Sequence, residues 1–187
     1  DKALADAELA IKLEPDNAGF LRQKAFLLNE QGKNDEAVEL FRKILGNPEV
    51  PEVALLLGGL FHERGNNDES IKILEESIKN TDKPEDMLSE EKRLLIHAYL
   101  GKNDTEHARA LATELRSSNP GSVLDLIVMS RVEKRAGNLE ASNQVLNEAR
   151  SYVSDGTPLR DIIGLAEDLY AAKRYADAWQ KLGPGMY

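Results

Sequence analysis

The sequence predicts an all-α protein of stacked antiparallel helix hairpins, an α-solenoid. Apolar helical runs recur in pairs at intervals of roughly 34 residues. A glycine separates the two runs of a pair at Gly32, Gly65 and Gly137, and Pro15 and Pro120 precede new pairs. Apolar residues nowhere alternate with polar ones over the length of a strand, so no β-sheet is expected. Because one hairpin cannot bury its apolar face alone, the fixed period indicates stacking.

The first hairpin shows how each element is predicted. Apolar residues spaced by three and four predict a helix over 3–13, which Pro15 ends because proline cannot continue it. Asn17 can cap the next helix, over 18–31. Gly32 follows that helix and fits the left-handed residue that commonly ends one.

The later elements repeat this pattern, giving about 11 helices. The stretch 80–86 is polar and is predicted to be the longest loop. Asn103 stands where other repeats have glycine, and asparagine is the next best residue for a left-handed turn. Pro158 suits the first turn of a new helix. The remaining predicted helices cover 36–45, 52–64, 68–79, 89–100, 105–117, 124–136, 139–152, 159–172 and 175–182.

Composition excludes several classes of partner. The formal net charge of the 187 residues is −9, which opposes binding to a phosphate backbone, so no nucleic-acid partner is expected. No apolar run reaches the length of about 18 residues that a membrane helix needs, so no direct membrane insertion of this segment is expected. Cysteine is absent, which is compatible with a reducing or an oxidising compartment.

No constellation of catalytic residues is apparent, and we expect neither enzymatic activity nor a cofactor. Ser130 and Ser142 fall at positions where the repeat needs small residues, which explains them without catalysis. Acidic pairs such as Glu75 and Glu76 are adjacent in sequence, so on a helix they diverge rather than converge for acid–base chemistry.

The recurring positions resemble the tetratricopeptide repeat family, a helix–turn–helix of 34 residues. The small residue of the first helix falls on Ala25, Gly58, Ile96, Ser130 and Ala166. The small residue of the second helix falls on Ala37, Ser70, Ala108, Ser142 and Ala178. The turn falls on Gly32, Gly65, Asn103, Gly137 and Lys173. Small residues allow the two helix axes to approach closely.

The resemblance implies a single array with the right-handed superhelix of that family. Residues 1–17 would be the second helix of a partial repeat. Whole repeats would cover 18–50, 51–88, 89–122 and 123–158, and a last, truncated repeat 159–187. Because the pattern is already under way at Asp1 and stops near Tyr187, we expect a fragment of a larger protein.

The resemblance also implies a protein–protein interaction scaffold whose concave groove, lined by the first helices, binds a partner protein or peptide. Apolar and basic side chains together would suit a segment that carries carboxylates. Whether the groove or the convex face binds stays open. The predicted groove residues are Arg22, Phe26, Asn29, Leu55, His62, Arg93, His97, Ile127, Arg131 and Lys134.

An alternative is a periplasmic segment of a bacterial polysaccharide-export or secretion machine that recruits an enzyme or the exported polymer. Bacterial cytoplasm and periplasm both stay open as locations.

Some family members bind a chaperone's C-terminal carboxylate with a lysine and an asparagine four residues apart. Arg22 and Phe26 stand at those positions, so that clamp is absent.

Two further clusters carry weaker predictions. His62 and His97 fall on neighbouring repeats and could face one another, but two imidazoles are an incomplete metal site, so no metal is expected. Near the C-terminus, aromatic and apolar residues could cover the next repeat, cap the array or support self-association. They are Tyr170, Tyr175, Trp179 and Met186.

Overall fold

The computed structural model describes residues 2–79 and 82–172, and within them it contains ten α-helices and no β-strand. This confirms the predicted all-α fold class. The predicted helix over 175–182 lies outside the described residues. The helices are α1 (Lys2–Leu13), α2 (Ala18–Glu30), α3 (Asn34–Ile44), α4 (Val53–Glu63), α5 (Asn67–Ser77), α6 (Glu85–Gly101), α7 (Thr105–Ser118), α8 (Val123–Arg135), α9 (Leu139–Ser151) and α10 (Leu159–Ala171).

The chain divides into two compact units, Asp1–Ala98 and Tyr99–Tyr187, and the division falls within α6. In unit 1, successive helices from α1 to α5 pack in pairs around a core that includes Leu21, Phe41 and Leu57. In unit 2, α8, α9 and α10 enclose a second core that includes Leu126 and Leu146. Each unit is an α-solenoid arrangement of antiparallel hairpins.

The residues predicted to end the first helices do adopt the left-handed conformation. The angle φ is +74° at Gly32 and Gly65, +83° at Gly137 and +60° at Asn103. Among the described residues, Asn103 is the one non-glycine residue with positive φ. Asparagine tolerates that region better than most side chains. The prediction that it replaces the turn glycine is therefore confirmed.

Close approach between the helices of a hairpin explains the small residues. A Cβ atom added to Gly58 of α4 would lie 2.9 Å from Leu74 Cγ of α5, closer than carbon atoms pack. The Ser70 hydroxyl donates to the Gly58 carbonyl at 2.8 Å. In unit 2 the corresponding hydroxyls, of Ser130 and Ser142, lie 2.9 Å apart. All four residues are buried, so these serines serve packing.

Helix α6 begins one turn earlier than predicted. Every other described helix begins and ends within one or two residues of its predicted bounds, but α6 begins at Glu85 rather than near Ser89. The first hydrogen bond of the helix runs from the Leu88 amide to the Pro84 carbonyl at 3.1 Å. The fixed φ of Pro84 prepares the helix start, and Glu85 and Asp86 place negative charge at its positive end. The predicted loop over 80–86 was therefore wrong at its last two residues.

A buried ion pair fixes the segment that leads into α6. Lys83 Nζ donates to Glu91 Oε1 at 2.7 Å, and the exposed fractions of the two side chains are 7% and 0%. Ser77 Oγ also donates to Glu91 Oε1, at 3.0 Å. The pair joins the end of α5, the linker and α6 at one point.

No helix within residues 2–79 and 82–172 combines the length and apolar character needed to span a bilayer.

Candidate partner-binding face

Side-chain contacts connect three first helices: α2, α4 and the part of α6 that belongs to unit 1. Arg22 of α2 donates a hydrogen bond to Glu52, which directly precedes α4. Between α4 and α6, the rings of His62 and His97 have centroids 6.4 Å apart. We call the surface that these helices share the first-helix face. It carries Arg22, Phe26, Asn29, Leu55, His62, Arg93 and His97.

Phe26 is the most exposed apolar side chain of this face. It is 48% exposed, whereas Leu21, Ala25 and Leu28 of the same helix point into the core. Leu55 and Asn29 are half-buried. A large aromatic ring exposed on a rigid helix is a common anchor in protein interfaces.

The guanidinium groups of this face are already paired within the chain. Arg22 binds Glu52. Arg93 lies 3.3 Å from Glu90, with only 16% of its side chain exposed. The expectation that these arginines offer open forks to a partner's carboxylates is therefore corrected. The carboxylates that occupy them belong to the next first helix or to the preceding turn of the same helix.

The two histidines are close, as the repeat phase predicted. His62 Nδ1 lies 2.7 Å from Asn67 Oδ1. Among the described residues, no group of three or more His, Asp or Glu side chains is placed to hold a metal ion. Both imidazoles are half-buried and contribute polar surface beside the apolar part of the face.

In unit 2 the structure corrects one predicted groove residue. Ile127 is 1% exposed and packs in the core of unit 2, and a Cβ atom on Gly164 of α10 would lie 3.7 Å from Ile127 Cδ1. It therefore offers no surface to a partner. Arg131 Nε donates to Asp168 Oδ2 at 2.7 Å, so this arginine too is paired. Lys134 is exposed.

The predicted C-terminal cluster is described only in part. Tyr170 is 64% exposed. Tyr175, Trp179 and Met186 lie outside the described residues, so self-association through this cluster stays a prediction.

A family model described as tetratricopeptide repeat matches residues 28–88. That stretch includes α3, α4 and α5, with the close approach at Gly58 and the left-handed turns at Gly32 and Gly65. Residues 28–88 are thus similar to the tetratricopeptide-repeat family, and the match covers about a third of the chain.

Solved structures with a similar fold include one that is described as a tetratricopeptide-repeat protein and two that are not. PilW, a type IV pilus biogenesis factor, is 18% identical, with a TM-score of 0.70 over 95% of this chain and 80% of its own. MamA from Desulfovibrio magneticus RS-1 is 16% identical, with a TM-score of 0.69 over 81% of this chain and 84% of its own. A thermophilic protein of the family from Thermus thermophilus is 19% identical, with a TM-score of 0.62 over 88% of this chain and 87% of its own. Comparison with curated proteins gives no match.

Stacked helical hairpins create extended surfaces of the kind that repeat proteins use to bind other proteins, and this fold is compatible with that general role. The repeat phase located the first-helix face but did not reveal which of its charges are already paired. It also missed an apolar cleft beside α3 and α5, which depends on where α3 ends.

Proposed function

We propose that the first-helix face of unit 1 binds a segment of a partner protein, with Phe26 as its apolar anchor. The observation that supports this is the exposure of nearly half of Phe26 on a helix whose opposite side is fixed in the core. Fully burying a phenylalanine side chain contributes about 1.5–3 kcal/mol, so covering the exposed half of Phe26 contributes about half of that. Because the supporting helices are already packed, little conformational entropy is lost when the partner binds.

The paired arginines change the expected chemistry of the partner. A carboxylate of the partner would have to displace Glu52 from Arg22 or Glu90 from Arg93. Exposed ion pairs at a rim contribute little affinity. The partner segment therefore needs an apolar side chain for Phe26 and polar groups for Asn29 and the two imidazoles, rather than a row of carboxylates.

Affinity purification from cells of the source organism tests this proposal. The bait variants are Phe26→Asp and, as a matched control, Leu9→Asp on α1, where Leu9 is 59% exposed. Both variants add a carboxylate at an exposed apolar position of unit 1. Quantitative mass spectrometry is expected to show partners lost with Phe26→Asp and retained with Leu9→Asp. Full recovery of every partner by Phe26→Asp would contradict the proposal.

A place in a bacterial export or secretion assembly, in the periplasm, is a second candidate. The likeness to PilW over 95% of this chain favours it, although at that identity the likeness supports the fold alone. An alkaline phosphatase fusion to the full-length gene product tests the location. The candidate predicts phosphatase activity in intact cells, and activity confined to a cytoplasmic reporter would exclude it.

A further inference from the structure

A cleft of about 640 Å³ lies between α5 and the segment that links α3 to α4. The end of α3 and the linker that follows it form one side of the cleft. Arg42 in the last turn of α3 reaches Glu69 in the first turn of α5, and the chain then turns away through Gly46, where φ is +82°. The later turns of α5 consequently face the linker rather than another helix. We call this space the α3–α5 cleft.

The floor and one wall of the α3–α5 cleft are apolar. Ala54 and Ile73 form buried floor, and Leu45, which is 39% exposed, stands in the wall with Pro48 and Pro51. Leu45 and the two prolines thus form an uncovered apolar surface. Its size suits two or three apolar side chains of a ligand.

The charges around the cleft are not balanced. Counting the lining residues and their ion-pair partners, there are four cations against three carboxylates, on a chain with a net charge of −9. The cations are Arg42, Lys72, Lys79 and Lys83, and the carboxylates are Glu69, Glu76 and Glu91.

Three of these cations are engaged and one is not. Arg42 donates to Glu69 and stacks over the Phe61 ring at 5.3 Å. Lys83 is buried with Glu91, and Lys79 binds Glu76. Lys72 is exposed, lines the cleft, and has no ion-pair or hydrogen-bond partner among residues 2–79 and 82–172. Its ammonium group is thus available to an anion beside an apolar floor.

We infer that the α3–α5 cleft binds a short segment of a partner protein whose apolar side chains flank an aspartate or glutamate. The apolar side chains cover Ile73 and Leu45, and the carboxylate pairs with Lys72. The cleft opens to solvent beside the exposed side chains of Leu45 and Lys72, so it can cover one side of a ligand only. Small-molecule sites bury most of their ligand, whereas a peptide segment presents one side and stays attached to its parent protein by the other.

This site is distinct from the first-helix face. It is formed by α3, α5, the linker between α3 and α4, and the first turn of α4, and none of its lining residues is among those named for that face. Binding at the two sites can therefore be measured independently in the same chain.

Selection of random peptides displayed on phage, with the whole chain immobilised, tests the inference. Selected peptides are then titrated by fluorescence anisotropy against wild type, Lys72→Glu, Lys33→Glu and Phe26→Asp. Lys33 is an exposed lysine at the opposite end of α3, so Lys33→Glu makes the same change in charge away from the cleft.

The inference predicts a class of peptides with adjacent aliphatic and acidic residues. Lys72→Glu should weaken their binding about tenfold, because an attraction becomes a repulsion, while Lys33→Glu and Phe26→Asp leave it unchanged. Three results would overturn the inference: no such class is selected, Lys72→Glu and Lys33→Glu act alike, or Phe26→Asp alone removes binding. A class lost only with Phe26→Asp would still support the first-helix face, so the two proposals can fail separately.

Discussion

Gly58 and Gly59 are neighbours in α4, yet their surroundings differ. A Cβ atom at position 58 would lie 2.9 Å from Leu74, whereas one at position 59 would meet Leu94 at an ordinary 3.8 Å. Position 58 is where the two helices of a hairpin approach each other, and the repeat phase predicts a small residue there. Position 59 faces the next first helix and has room for a methyl group.

Gly58→Ala should therefore destabilise unit 1, and Gly59→Ala should not. Forcing a methyl group against Leu74 costs about 1–3 kcal/mol, which exceeds the gain of about 0.5–1 kcal/mol from replacing glycine in a helix. Gly59→Ala creates no such contact, so only the gain from replacing a helical glycine is expected. Urea denaturation followed by circular dichroism measures both. Equal stability of the two variants would contradict the close approach.

For individual residues, the sequence predicted backbone conformation better than side-chain partners. The left-handed turns at Gly32 and Asn103 follow from the local preferences of single residues. The pairing of Arg131 with Asp168 could not be predicted, because the two residues are 37 positions apart and their contact depends on the packing of α8 against α10. The burial of Ile127 has the same cause.

Among the elements, α6 depends on contacts that its own sequence does not display. Glu91 of α6 lies in the interior, where Lys83 and Ser77 provide its hydrogen bonds. Glu91 Oε2 has no hydrogen-bond partner among the described residues, so the loss of Lys83 would leave a buried carboxylate with one neutral donor. The polar sequence of the linker before α6 predicts a solvent-exposed loop and therefore did not indicate a buried ion pair between Lys83 and Glu91.

Lys83→Met should be strongly destabilising, by about 3–5 kcal/mol, since it leaves an uncompensated buried charge. The double variant Lys83→Met with Glu91→Leu should recover much of that loss, because it removes both charges. Lys79→Met, which breaks the exposed pair with Glu76, is the control and should leave the unfolding midpoint unchanged. If Lys83→Met were as stable as wild type, the buried ion pair between Lys83 and Glu91 would not be formed.

A second pair links α7 to α8 in unit 2. Arg109 donates to both oxygens of Glu133, at 2.7 and 2.9 Å, and Asn138 donates at 2.8 Å. The hydrogen bonds from Arg109 hold the pKa of Glu133 below its ordinary value of 4.5, against the opposing effect of burial. This carboxylate therefore stabilises the folded state when it is ionised.

The stabilisation by Glu133 should be fully present above the pKa of the unfolded chain, about 4.5. It should be lost as the pH falls through the lowered pKa of the folded state. Glu133→Gln should thus cost about 1–2 kcal/mol near neutral pH, with the difference from wild type shrinking below pH ~4.5. Urea titrations at several pH values test this. Glu167→Gln, at an exposed position of α10, should show no such trend, and a pH-independent cost for Glu133→Gln would contradict the account.

For the whole molecule, periodicity predicted the fold because every repeat restates the same local rule. Small residues at fixed positions, left-handed turns and capped helix starts all indicate one hairpin, so a misplaced boundary such as the start of α6 changes little. The boundaries of the repeats themselves stay predictions. Binding surfaces lack this redundancy. The α3–α5 cleft depends on the packing of one linker against α5, and the pairing of Arg22 and Arg93 beside Phe26 depends on contacts that the repeat pattern does not encode.

We propose that the first-helix face of unit 1 binds a partner protein. Incorporation of the photocrosslinking residue benzoylphenylalanine at Phe26, Leu55 or, as the control, Leu139 at the start of α9 tests it most directly. Leu139 is 62% exposed and belongs to a second helix. In irradiated cells of the source organism, the account predicts discrete crosslinked partners at positions 26 and 55 and none at 139. Crosslinks at 139 together with none at 26 and 55 would contradict it.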